Sequence, residues 1–162
     1  MTEAEERQAV VAEARNCIGT PYRHMGRMKG PGGGLDCAQL VWLVFYNCGL
    51  TPFLPLEPYP PDFMLHHGVE RYLAIVVERA RPVDDPRPGD VVLYRVGRLY
   101  AHGGIVVDPG WPHLVHAWAA ARRVIADRGD TGPLARRPRK FFSRWSVLAR
   151  AGLAGGGRRE ET

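Results

Sequence analysis

The sequence predicts an α+β fold, with N-terminal helices packed on a central antiparallel β-sheet. Helix-period apolar patterning is concentrated before residue 81, and short strand-like runs broken by turn residues fill 90–149. Helices first and strands afterwards are the order of an α+β domain, not of alternating βαβ units. With 162 residues and 45% hydrophobic content, the chain can build one core. A single domain is therefore expected over 1–150, followed by a disordered Gly- and Arg-rich tail at 151–162.

The elements follow in order. Residues 3–18 predict an amphipathic helix with Val10, Ala14, Cys17 and Ile18 at helical spacing. The loop 19–35 carries Tyr22 and the glycines Gly32, Gly33 and Gly34. A helix over 37–48 follows, apolar from Leu40 to Tyr46 and stopped by Gly49. Thr51 to Pro61 holds five prolines and predicts an extended surface connection. Asp62 is placed to cap a helix running to residue 80, and 82–89 forms a Pro-rich lead-in. Strands are expected at 90–96, 99–107, 113–119, 121–126 and 143–149.

Cys37 stands between the glycine loop and the apolar helix. In the first turn of a helix, unpaired N–H groups and the macrodipole favour a thiolate, so this cysteine is the candidate nucleophile. Asp36 is the expected cap of that helix. Downstream, His102 precedes Gly103 and Gly104, whose lack of side chains permits close approach by a backbone or a substrate. The turn Asp108-Pro109-Gly110 leads to a strand from His113 to Trp118. Hairpin geometry centred on Pro109 and Gly110 sets His102 opposite His116 to within one residue. Cys37 as nucleophile, His102 as base and His116 as the group orienting its imidazole make a thiol-hydrolase triad. His113 faces the other side of the same strand, and a slip of one residue would exchange it with His116.

These residues resemble the NlpC-type cysteine peptidases of bacterial cell walls. Gly19-Thr20-Pro21-Tyr22 matches the family's G-x-P-Y segment, and Asp36-Cys37-x-x-Leu40-Val41 its D-C-S-G-L-V nucleophile motif. Pro88-Gly89-Asp90 matches its P-G-D strand start, His102-x-Gly104-Ile105-Val106 its H-V-G-I-Y base motif, and His116 its third polar residue. The match runs from about Ala9 to about Trp145, with the motifs in the family's order. The segment from Tyr22 to Gly30 looks most like the branch found in phage tails and gene-transfer particles. The resemblance implies a papain-like NlpC-type fold and hydrolysis of peptidoglycan stem peptides, near the D-Glu–diaminopimelate bond, by a virion tail-tip enzyme. It implies phage tail-tip proteins as partners and needs no cofactor or metal. It also points to Tyr22, Asp36, Ala38, Gln39 and Gly103 as substrate-binding positions. Ala38 stands where the family usually has Ser, which alters contacts to the substrate's polar end, and Gln39 where it usually has Gly, which either narrows the cleft or adds an amide donor near the thiol.

Other features set limits. The net charge of +5 suits an anionic envelope, and neither RNA-recognition patterning nor zinc-finger spacing points to nucleic acid. Cys17 and Cys48 read as small core residues, and three cysteines without a C-x-x-C pair suggest a reducing compartment. His66 and His67 diverge by about 100° on a helix, which makes a shared metal ion a poor reading. His24 and Arg27 lie in a loop that either flanks the cleft or serves a purely structural role. The polar N-terminal residues Thr2 to Arg7 carry no apolar signal region, and no segment is long enough to span a bilayer. Assembly into a particle would then supply the route to the wall. Two rival readings keep the fold: a structural tail-tip module with a dormant site, and a CHAP-like peptidoglycan amidase. Acyltransferases that place His before Cys fit the chain order less well.

Overall fold

The structure, a computed structural model, describes residues 1–61 and 71–146. Helix α1 (Glu3–Asn16) starts in a capping box: the Thr2 side chain accepts from Glu5 N while the Glu5 carboxylate accepts from Thr2 N. Its buried stripe is Arg7, Val10 and Ala14, with Cys17 as C-cap. Ile18 lies beyond the helix end and is exposed, so it is not part of the expected apolar face. Arg7 is the buried charge of the stripe. Its guanidinium donates to Asp90 Oδ1 at 2.9 Å, the Pro88 carbonyl at 2.8 Å and Ser143 Oγ at 3.2 Å.

Two short strands, β1 (Arg27–Met28) and β2 (Gly34–Leu35), pair antiparallel inside the loop that the sequence left irregular. Helix α2 (Cys37–Asn47) follows, capped by Asp36, and Gly49 beyond it takes φ +70°. Residues 51–60 run as an extended, largely exposed strap. Helix α3 spans Arg71–Arg79; the expected cap Asp62, the first part of its predicted range and His66–His67 lie outside the described residues.

The main sheet contains β3 (Arg81–Val83), β4 (Val91–Val96), β5 (Leu99–Val106), β6 (His113–Trp118), β7 (Arg123–Arg128) and β8 (Arg139–Ser143). Its order is β3-β8-β4-β5-β6-β7, and every pairing is antiparallel. Helices α1 and α2 bury Val10, Ala14, Leu40, Val41 and Val44 in one core with Leu93, Ile105, Val115 and Phe142.

Two expectations fail at the C-terminal end of the sheet. The last strand is Arg139–Ser143 rather than 143–149: residues 144–146 are helical, and 147–149 lie outside the described residues. The basic pair Arg139-Lys140 hid the strand from a search for apolar runs, yet Phe142 packs at 2% exposure and β4 supplies the pairing. That same strand recruits β3 from the Pro-rich lead-in, where no strand was expected. Strand β7 starts two residues later than expected, after a turn in which Arg122 takes φ +60°.

Candidate active site

The first residue of α2 is Cys37, and Asp36 fixes that start. Asp36 Oδ1 accepts from Gln39 N at 2.9 Å, while Oδ2 accepts from Met25 N at 2.8 Å and from the Tyr59 hydroxyl. The helix cap, the 23–26 loop and the strap thus meet on one buried carboxylate. A β-bulge in β5 prepares the opposite wall. Tyr94 pairs with His102 and Arg95 with Tyr100, which leaves Ala101 as the extra residue. The Cys37 thiol donates to the Ala101 carbonyl at 3.5 Å.

Withdrawal of the sulfur from water, then the charge of Asp36, push the Cys37 thiol up to about 12. The backbone N–H groups of Gly103, Ala38 and Cys37 act in the other direction and do not prevail. The helix start therefore does not hold a resting thiolate, contrary to the sequence expectation. The amides that would stabilise the anion are present, but dehydration outweighs them.

His102 Nε2 lies 2.8 Å from His116 Nδ1, and His116 Nε2 lies 3.1 Å from Asp127 Oδ2. Cα pairing of β5 with β6 joins Ile105 to Val115 and Val106 to Leu114, one residue from the expected register. Continued along the strands, that register makes His102 and His116 diagonal neighbours, within reach of long side chains on one face. Gly104 permits the approach: a β-carbon there would sit 2.9 Å from the Val115 carbonyl oxygen and 3.1 Å from His116 Cβ. Trp118 closes the group, its ring stacked on His116 and edge-on to His102. Burial, then His116 and Arg137, hold His102 down to about 3, so its imidazole is neutral at physiological pH. Burial also lowers His116, against the opposing pull of Asp127. His113 lies on the exposed side of β6, with Nδ1 3.7 Å from Asp108.

A cleft of about 150 Å³ opens on these groups; Cys37, His102, Tyr22, Asp36 and Ala38 line it, with His24 and Tyr59 beside them. Burial, then Cys37 and Asp36, raise the Tyr22 phenol, which keeps its proton. Hydrogen bonds from Gly19 and Tyr22 N to the Val124 and Arg122 carbonyls hold its segment along β7. Two residues expected at the substrate stand elsewhere. Gln39 is buried, accepts from Arg27 Nε at 2.7 Å and donates to the Tyr59 hydroxyl at 3.1 Å, so it anchors the strap. Gly103 presents its N–H to the Cys37 sulfur rather than an open face to the cleft. Arg27 stacks on Trp42, 4.0 Å from the ring centroid. A larger groove of about 800 Å³ beside α2, lined by Trp42, Phe45 and Leu54, contains none of the three reactive side chains.

Sequence reading missed Tyr59, Trp118, Arg137 and Asp127 around the site. Tyr59 was masked by the prolines around it, and Arg137 by a basic run with no periodicity. Asp127 shares a face of β7 with Ile125, a placement that becomes informative only once the β6–β7 register is known.

No family model matches the chain, and no curated protein matches it by sequence. Solved structures do match it. The NlpC/p60 domain of the peptidoglycan hydrolase SagA superposes over 83% of this chain and 96% of its own, at 19% identity and a TM-score of 0.53. The peptidoglycan hydrolase RipB from Mycobacterium tuberculosis gives 19% identity and a TM-score of 0.58, covering 89% of this chain and 68% of its own. NlpC1 from Trichomonas vaginalis gives 18% and 0.57; 87% of this chain is covered, but only 44% of that one. The helices packed on an antiparallel sheet, with a cysteine at a helix start facing a histidine on β5, are arranged in the NlpC/p60 fold.

Proposed function

We propose that this chain is a cysteine peptidase of the NlpC type that hydrolyses peptidoglycan stem peptides, at or near the D-Glu–diaminopimelate bond. The observation that carries this reading is one cleft holding Cys37 and His102, with His102 bonded from behind to His116. The fold supports it, since SagA and RipB are both peptidoglycan hydrolases.

In the proposed mechanism Cys37 and His102 rest as a neutral pair. As the sulfur attacks the scissile carbonyl carbon, its proton passes to His102 Nδ1, the nitrogen that His116 does not engage. The carbonyl oxygen becomes an oxyanion near the N-terminus of α2, where one backbone donor is typically worth about 3 kcal/mol. Tyr22, still protonated, offers an O–H at the same lip. Collapse breaks the C–N bond, and His102 returns its proton to the leaving amine. Water then gives a proton to His102 and its oxygen to the thioester carbon; the C–S bond breaks and His102 returns that proton to the sulfur, which releases the acid and restores the thiol. No step draws on a cofactor.

The resemblance to the phage branch supports the finer proposal of a tail-tip enzyme acting during wall penetration, with other tail-tip proteins as its partners. Among the described residues no helix is long and apolar enough to cross a membrane.

Digestion of purified sacculi, with mass analysis of the released muropeptides, tests the reading. The wild type should release fragments cut within the stem peptide, and Cys37→Ala should release none. Cleavage between muramic acid and the first stem residue would favour the CHAP-like amidase. No release from a folded wild type would favour the structural module.

A further inference from the structure

The two imidazoles form a chain of hydrogen bonds whose direction is not free, and one carboxylate sets it. Asp127 Oδ1 accepts from Arg128 N at 2.8 Å, while Oδ2 faces His116 Nε2 at 3.1 Å. The Asp127 side chain is 38% exposed, and that of His116 is fully buried. A carboxylate oxygen in this position accepts and the facing ring nitrogen donates. His116 must then carry its proton on Nε2, which leaves Nδ1 as an acceptor in the neutral ring. His102 in turn must donate from Nε2 to that nitrogen. Its own Nδ1 is left bare, as a base requires. If His116 carried its proton on Nδ1 instead, His102 would have to accept at Nε2 and hold its proton on Nδ1. It could then take nothing from the thiol.

We infer that Asp127 is a positioning residue which, through His116, fixes the tautomer of His102 with Nδ1 free to accept the Cys37 proton. The geometry runs obliquely across three strands. His116 pairs with Ile125 in the β6–β7 ladder, so Asp127 is its diagonal neighbour, as His116 is to His102. Each link steps one strand further from the cleft, and the last ends at water. The site therefore has four members in series where the sequence indicated three, and the fourth acts without touching substrate. This inference rests on the proposed thiol hydrolysis for its catalytic meaning, but the tautomer claim stands on its own.

The test combines nitrogen NMR of histidine-labelled protein with kinetics of Asp127→Ala, Asp127→Asn and Asp127→Glu. In the wild type both His102 and His116 should show the Nε2–H form. Asp127→Ala should mix the two tautomers of His116 and His102, and reduce kcat on the order of 10-fold while leaving KM near its wild-type value. Asp127→Asn has a single oxygen, which Arg128 N–H claims, so its amide N–H should face His116 Nε2, reverse both tautomers and lose at least as much rate as the alanine variant. Asp127→Glu should recover most of the alanine loss. A wild type with His116 protonated on Nδ1 overturns the inference. So does Asp127→Ala with unchanged tautomers, even if its melting temperature falls, because that pattern marks a purely structural role. If the wild type proves inactive on sacculi while the tautomers respond as stated, the hydrolase reading fails and the assignment of Asp127 survives.

Discussion

At the scale of single residues, the resting state of Cys37 is the feature most open to measurement. A thiol pushed up to about 12 beside an imidazole held down to about 3 makes a neutral pair, not a thiolate–imidazolium. Alkylation of Cys37 by iodoacetamide should therefore keep rising with pH to at least about pH 9, without the low-pH plateau of a pre-ionised cysteine. A plateau below neutrality would contradict this. The two histidines of β6 separate just as sharply. His116→Ala should reduce turnover on the order of 100-fold, because it leaves His102 Nε2 without its partner. His113→Ala should leave turnover near the wild-type value, since His113 is exposed and faces Asp108 rather than His102. Muropeptide release by the two purified variants decides it. Cys37, His102 and His116 were legible in sequence because each sits beside a glycine loop or on a strand of known parity. Asp127 and Tyr59 were not, because their roles depend on strand register and on the path of a proline-rich strap, which periodicity does not encode.

At the scale of elements, the site depends on how closely β5 and β6 approach. A β-carbon at Gly104 would press on the Leu114 side chain at 2.7 Å and on the Val115 backbone. Gly104→Ala should cost about 1–3 kcal/mol of stability by overpacking. It should also part the two rings, so activity should fall at temperatures where the variant is still folded. Thermal melts run alongside sacculus digestion would show both effects, and a destabilised but fully active variant would mean the strands separate without disturbing the histidines. The helices and the central strands were readable because their apolar faces are long and their stops are glycines. Strand β8 was not, because Arg139 and Lys140 begin it, and β3 was hidden in Arg81-Pro82-Val83. Strand β8 owes its existence to long-range pairing with β4 and β3, and β3 to its pairing with β8. Local propensity says little about strands made by such distant pairing.

At the scale of the whole molecule, burying two neutral histidines ties stability to pH. Both His102 and His116 have lowered pKa values, so below the ordinary histidine range the unfolded chain binds protons that the native state refuses. Stability should be fully retained above about pH 6.5 and fall as pH drops toward about 3. Replacing His116 with Gln should flatten part of that slope, which urea titrations across the window would reveal. Unchanged midpoints between neutral and acid pH would rule the coupling out. A different consequence follows from Arg7. This side chain belongs to the first helix, yet beyond Glu3 on the same helix its partners are Pro88, Asp90 and Ser143, with the ring of Trp145 stacked on its guanidinium at 4.1 Å. Arg7 leaves the ribosome more than a hundred residues ahead of Ser143 and Trp145 and must wait for them. Until residues 143–145 emerge, the growing chain holds a cation whose burial is incomplete and a sheet whose closing strand is missing. The reactive thiol is thus translated well before it is housed, and stalled nascent chains should show Cys37 open to alkylation until residues 143–145 clear the exit tunnel.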